Sequence, residues 1–275
     1  MTTAPPAQPL FLGSGANACY ALYHAPAGAC RGAWVYLHPF AEEMNKSRRM
    51  AALGARALAA HGHAVLQIDL HGCGDSAGES GDADWTRWLD DVARASAWLA
   101  QRHGQPGLWG LRSGALLAAD AARQGVLQPA ALLLWQPVLN GAVFLQQFLR
   151  LKVAAQMLGE PAGAAGGTAA LRAALQAGES LEIAGYMLPP ALAASLDGLD
   201  LQAMAAPACP LHWLEVVAAP ERPLPPASTR LLANWGAHGV AVAGPQFWAS
   251  QEISECPALL EATVAAVCQE ARHAA

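Results

Sequence analysis

Through the first half of the chain, short apolar runs alternate with longer segments whose apolar residues recur three and four apart. Residues 33–37 (AWVYL), 64–70 (AVLQIDL), 106–110 (PGLWG) and 131–135 (ALLLW) read as strands, and residues 47–60, 83–102 and 113–124 read as helices with one apolar face. Asp84 places an acidic residue in the first turn of the second helix, and Gly62 and Gly125 stand where helices end. Strand and helix in strict alternation predict a mostly parallel sheet with helices on both faces. From residue 141 to about 205 the pattern changes. VFLQQFLRLKVAAQML reads as an amphipathic helix, GEPAGAAGGT as a glycine-rich break, and no strand of the main sheet is evident there. Strand signals resume at 211–217 (LHWLEVV) and 239–243 (GVAVA), and 257–271 returns to helix. The expected organisation is a core of residues 1–140 and 206–275, interrupted by a helical lid at 141–205.

Composition narrows the picture. Of the 275 residues, 54% are apolar and 13% charged, which supplies a buried core and excludes a disordered polar chain. The net charge of −5 argues against nucleic acid and anionic membranes as partners. Six scattered cysteines, with no C-x-x-C pair and no histidines at zinc-finger spacing, signal neither a metal site nor a disulfide framework, and nothing calls for a cofactor. The amino terminus has no basic region followed by a long apolar run, and no segment suits a membrane span, so a cytoplasmic location is expected. The apolar richness is largely alanine, a composition common to GC-rich bacterial coding.

The sharpest chemical feature is PGLWGLRSGA, residues 106–115: a strand, a glycine-flanked turn and an alanine-rich helix, in the order of the nucleophile elbow of α/β-hydrolases. Setting Gly110 and Gly114 on the two glycines of G-x-S-x-G puts Arg112 at the nucleophile position, with Ser113 one residue late. The Ser113 amide is then placed for an oxyanion hole. Leu37-His38-Pro39-Phe40 follows a strand where these enzymes carry an oxyanion loop, and Phe40 is the candidate for the second amide. Asp69-Leu70-His71-Gly72-Cys73-Gly74-Asp75-Ser76 matches a D-x-x-G-x-G-x-S turn, whose glycines read as structural.

With HPFAEEMNKSRRM, IDLHGCGDSAGE, LWGLRSGALLA, LLLWQPVLNG, FLQQFLRLK, EIAGY and GPQFW added, the chain resembles, almost end to end, a bacterial family called exosortase A system-associated hydrolase 2. The resemblance implies an α/β-hydrolase fold and a place beside the exosortase and PEP-CTERM sorting machinery of bacteria that make exopolysaccharide. It implies a small-molecule, lipid-linked or saccharide-linked substrate and, nominally, ester or acyl hydrolysis. Fold does not fix chemistry.

A serine hydrolase needs nucleophile, acid and histidine in that chain order. Arginine is permanently protonated and has no lone pair with which to attack a carbonyl, so Arg112 attracts anions and cannot replace serine. For the acid, Glu215 and Glu221 are available; past the strand at 239–243, Gly244 to Trp248 contain no histidine. His238 precedes that strand. A serine route would pair Ser113 with His38, against the plainer readings of Ser113 as a helix-start residue and His38 as a ring held by backbone bonds. Arg112 either receives a carboxylate or phosphate ligand or forms an internal bridge to Glu42, Glu43 or Glu215; the two states can interchange. Glu43 and Asn45, in the polar run after His38, are further binding candidates, as is Trp248 with Phe247 as an aromatic wall. Three readings follow: an ester or acyl hydrolase, a catalytically silent anion- or partner-binding protein, and a lyase or transferase using His38 with a glutamate.

Overall fold

The computed structural model describes residues 5–159 and 167–273. Its centre is an eight-stranded sheet built from β1 (Gln8–Leu12), β2 (Cys19–His24), β3 (Gly32–Leu37), β4 (His63–Ile68), β5 (Gly107–Leu111), β6 (Leu132–Trp135), β9 (Leu211–Val217) and β10 (Gly239–Ala243). The spatial order is β1-β2-β4-β3-β5-β6-β9-β10; β2 is antiparallel to β1 and β4, and the other neighbours run parallel. This is the α/β-hydrolase fold. Each parallel crossover carries a helix: α1 (Glu42–Ala60), α2 (Trp85–His103), α3 (Ser113–Arg123) and α7 (Pro226–Trp235), with α8 (Pro257–His273) closing the chain. The β1–β2 hairpin and α7 are additions to the sequence reading. β1 lies on a sheet edge and exposes Phe11, so it lacks a buried run, and α7 follows the proline-rich ERPLPP, which masks its start.

Two cores cover the sheet. On one face α2, α3 and α7 bury Trp85, Trp88, Leu116 and Leu231; on the other α1 and α8 enclose Trp34, Trp109, Trp135, Phe247 and Trp248. The second face is so filled with indoles that α1 must come close, and Gly54 lets it. A Cβ there would sit 2.6 Å from the Trp109 ring. Trp135 Nε1 donates to Thr263 at 2.9 Å, from the sheet to α8, and Trp85 Nε1 to the buried Asp120 at 2.9 Å, from α2 to its neighbour α3, so two of the large rings satisfy their polar atoms between elements. Asp84 caps α2 by accepting from the amides of Thr86 and Arg87.

The segment between β6 and β9 holds α4 (Gly141–Gly159), α5 (Gly167–Gln176), the strands β7 (Leu181–Ile183) and β8 (Tyr186–Leu188), and α6 (Pro190–Asp197). β7 and β8 pair only with each other, through a two-residue turn at Ala184 (φ 50°) and Gly185 (φ 84°). Most of the glycine-rich break lies outside the described residues. The chain leaves and re-enters the core at one place: Asn140 bridges to Asp200, and the Gly141 and Leu201 amides donate to Leu199 and Leu139 oxygens at 2.8 Å. Among the described residues no helix is long and apolar enough to cross a membrane.

The Gly54 contact sets two effects against each other. Gly54→Ala gains roughly 1 kcal/mol of helix propensity and loses about 1–3 kcal/mol to overpacking against Trp109. The expected outcome is a net destabilisation, read as a lower urea midpoint at unchanged m-value.

Candidate functional site

The sheet delivers the elbow at the carboxyl end of β5. Arg112 sits at φ 56°, ψ −117°, between the last strand residue and the first residue of α3. Such a conformation is strained for any residue with a side chain, and its surroundings enforce it. The Arg112 amide donates to Trp135 oxygen at 3.0 Å, and its carbonyl accepts from Ala115, Leu116 and Val138. A Cβ at Gly110 would lie 2.3 Å from Gly114 oxygen, and one at Gly114 would lie 2.2 Å from Leu37 oxygen. Both flanking glycines are therefore steric requirements of the turn. Ala41, at the parallel turn between β3 and α1, has nearly the same backbone (φ 54°, ψ −132°). No sequence signal marks it, because strain on an alanine leaves no residue signature.

The Arg112 side chain lies between an anion and an aromatic ring. Its Nε is 3.2 and 3.3 Å from the two Glu43 oxygens, and a terminal nitrogen is 3.2 Å from Oε1. Its guanidinium carbon is 5.7 Å from the centre of the Trp248 ring. Of the three carboxylates considered as internal partners, Glu43 takes the role. It stands in the first turn of α1, where the helix N-terminus favours a negative charge. Burial nonetheless pushes the Glu43 carboxyl above its ordinary range, against the opposing pull of Arg112. Trp248 is itself buried among the second-face aromatics beside Phe247.

The other candidates are engaged elsewhere. Ser113 is buried, and its Oγ accepts from the Phe40 amide at 2.8 Å. That bond uses the very amide expected to serve an oxyanion and ties the β3–α1 loop to the start of α3. His38 Nε2 accepts from the Leu70 amide at 3.0 Å, and Nδ1 faces Pro39 oxygen at 2.8 Å, which defines a neutral ring protonated at Nδ1. Burial lowers its pKa, and the ring has no nitrogen left to take a proton from Ser113. The Ser113–His38 pair considered from the sequence is thus replaced by two backbone attachments. Glu215 lies within β9, receives Trp213 Nε1 at 2.6 Å and Gln136 Nε2 at 3.4 Å, and is pushed up by burial. These contacts make it a strand-to-strand brace in place of a histidine-orienting acid. Glu221 is exposed, and His238 stands at the start of β10, the opposite end from the elbow.

Two contributors, Tyr186 and Gln136, have no signal in the sequence reading. Asn45 Nδ2 donates to the Tyr186 hydroxyl at 2.6 Å, and that hydroxyl donates to Glu42 at 2.9 Å, so the β7–β8 turn is latched onto the first turns of α1. Burial and Glu42 push the Tyr186 hydroxyl up to about 12. Gln136 (φ 43°) links β6 to β9 through Glu215 and the Val216 amide. The D-x-x-G-x-G-x-S turn proves architectural. Asp69 accepts from Arg48 and the Asp75 amide, and a Cβ on Gly74 would overlap its carboxylate at 1.9 Å. Among the described residues no three histidine, cysteine or carboxylate side chains converge as a metal site.

A sheet of this order with a strained elbow after its fifth strand defines an α/β-hydrolase-fold protein. The chain belongs to the Hydrolase_4 family, described as serine aminopeptidase S33, whose model matches residues 28–184, more than half its length. No curated protein sequence matches it. Among solved structures it is similar to Est1E from Butyrivibrio proteoclasticus with ferulic acid bound, at 15% identity and TM-score 0.68 over 94% of this chain and 98% of that one. It is similar also to XC6422 from Xanthomonas campestris, described as a serine hydrolase without lid, at 17% identity and TM-score 0.56 over 96% and 95%. Mouse alpha/beta hydrolase domain-containing protein 10 aligns at 13% identity and TM-score 0.58 over 98% and 100%. At these identities the likeness is one of fold.

Ring-nitrogen NMR checks the state of His38. At pH 6, where a free imidazole is mostly charged, His38 is expected to remain neutral and protonated at Nδ1. A midpoint at or above 6.5 overturns the assignment.

Proposed function

We propose that this protein is a catalytically silent hydrolase-fold binding protein that takes the anionic group of a small, lipid-linked or saccharide-linked molecule at its elbow. Arg112 receives that anion, Trp248 walls it, and Glu43 occupies the guanidinium until the ligand arrives. The segment at 141–205 serves as the lid, held to α1 through Tyr186, Glu42 and Asn45. The setting is the exosortase A and PEP-CTERM exopolysaccharide system of a bacterial cytoplasm, to which the sequence resemblance points.

The observation that carries this reading is a cation at the nucleophile position, paired with one partly exposed carboxylate. The Arg112 and Glu43 side chains retain 18% and 23% of their exposure, so solvent screens the pair and an incoming anion competes on modest terms. Charge-assisted contacts from a planar guanidinium suit a carboxylate or phosphate in two-pronged fashion. The first amides of α3, which have no acceptor within the helix, add a positive pole to the same spot.

A second reading, ester or acyl hydrolysis, draws on membership of Hydrolase_4. It requires Ser113 to give up its Phe40 contact and find a base. Fluorophosphonate treatment followed by peptide mapping separates the two: silence at Ser113, with no turnover of short nitrophenyl esters, is expected, and covalent labelling at Ser113 would replace the binding proposal with the hydrolytic one.

The binding proposal is tested with hexanesulfonate, which stays ionised across the range, and with inorganic phosphate. Arg112→Met is expected to abolish binding. Glu43→Gln, which removes the competing charge, is expected to tighten it about tenfold. Because the folded-state pKa of Glu43 lies above its ordinary value, the carboxylate neutralises before a free one as pH falls. Sulfonate affinity in the unmodified protein should therefore climb on mild acidification, and this dependence should vanish in Glu43→Gln. Equal affinity in Arg112→Met sinks the reading.

A further inference from the structure

The sheet has two edges, β1 and β10, and they are finished differently. β1 carries Pro9, which has no amide to offer a neighbour, and an edge guarded in this way resists pairing. β10 carries none of the usual guards. Its sequence is GVAVA, with no proline, no charge and an unbroken register against β9. Between Arg230 and Glu252 the chain contains no Asp, Glu, Lys or Arg at all.

The register shows which backbone groups this edge offers. Gly244 donates its amide to Val217 oxygen of β9, so Val242 and Val240, two and four residues earlier, also turn their backbone groups inward. Gly239, Ala241 and Ala243 therefore turn theirs outward, and among the described residues nothing bonds to them. Side chains alternate as well. Val242 is buried in the core shared with α8, which puts Val240 on that same face, where it is 50% exposed. α8 packs on β9 and β10, and from Pro257 to Cys268 its one charged residue is Glu261. Leu260 and Val264 stay half-buried and Ala265 exposed on its flanks. A row of free donors and acceptors thus runs beside an apolar shoulder.

We infer that β10 pairs antiparallel with β10 of a second copy of this chain, about a two-fold axis at Ala241. Ala241 then faces its own copy and Gly239 faces Ala243, each pair exchanging two backbone bonds. Val240 faces Val242 in the closer pairs between them, where apolar side chains suit each other. The strand is its own complement, because its three outward residues are placed symmetrically about the middle one. Within the paired strands no like charges meet, and the two-fold closes the assembly at two copies. A strand of five residues buries less than a stable interface needs, so the apolar shoulders of α8 supply the remainder and the pair is a weak one. This surface stands independently of the anion proposed at the elbow.

The test is sedimentation equilibrium on the full chain in reducing buffer, so that the exposed Cys30 cannot cross-link copies. A monomer–dimer equilibrium with a micromolar midpoint is expected. Ala241→Pro deletes an outward amide and spares the β9 bonds, so it should keep its circular dichroism spectrum and stay monomeric. Val240→Lys, which charges the edge at an exposed position, should weaken association about tenfold or more. Hydrogen exchange locates the contact: the Ala241 and Ala243 amides should exchange about tenfold more slowly in the dimer, and the Val240 amide should be unaffected. A monomer up to about 1 mM leaves the edge to solvent or to an unlike protein and overturns the inference. A dimer that persists in both variants, or one that leaves Ala241 exchange unchanged, lies elsewhere on the molecule and overturns it as well.

Discussion

The contact on which the rest of this molecule turns is between backbone and backbone. The second residue of α3 lies against the end of β3, so close that any side chain at Gly114 would overlap the Leu37 and His38 carbonyls. From this follows the positive φ of Arg112, because a helix beginning so near the strand tips must reverse direction in a single residue. The Ser113 to Phe40 bond follows too, since the β3–α1 loop and the start of α3 are now neighbours. The strain at Arg112 and Ala41 is borne by the surrounding strand and helix bonds, which leave no easier path for the chain. A scaffold that aims one side chain at one spot is thereby fixed, whatever that side chain is.

What the scaffold aims is a guanidinium. Serine enzymes need a neutral oxygen near a base, and the three groups weighed for that chemistry are held by the frame: His38 to Leu70, Ser113 to Phe40, Glu215 to Trp213. Each attachment satisfies a buried polar atom that would otherwise be left dry. Charge at the elbow is balanced by Glu43, from a helix whose first turn also supplies Glu42 and Asn45 to the Tyr186 latch. One short stretch of α1 therefore touches both the elbow and the β7–β8 turn, which makes that stretch the mechanical link between them.

Much of the architecture is written in the sequence because buried strands of a parallel sheet are continuous apolar runs, and helices between them keep their period. The elbow was legible for a steric reason, two glycines at fixed spacing. The β1–β2 hairpin was not, since an edge strand such as QPLFL buries only Leu12 fully. The beginning of α1 lay hidden because residues 42–46 are polar and serve the site more than the core, with only Met44 buried among them. Site partners were harder still. Glu43 was one of three equivalent carboxylates until the register of α1 against β5 chose it, and Tyr186 approaches from more than a hundred residues away. Long-range pairs of this kind depend on how layers stack, which no local pattern encodes.

The stitch at Asn140 and Asp200 has a consequence for the history of the chain. Because the two ends of the intervening segment meet on adjacent backbone, the closure is already secured at its base, and the length of what lies between is a weak entropic variable. Helices and hairpins can be exchanged, shortened or grown there without disturbing strand order, so this module can be rebuilt while the sheet beneath stays constant.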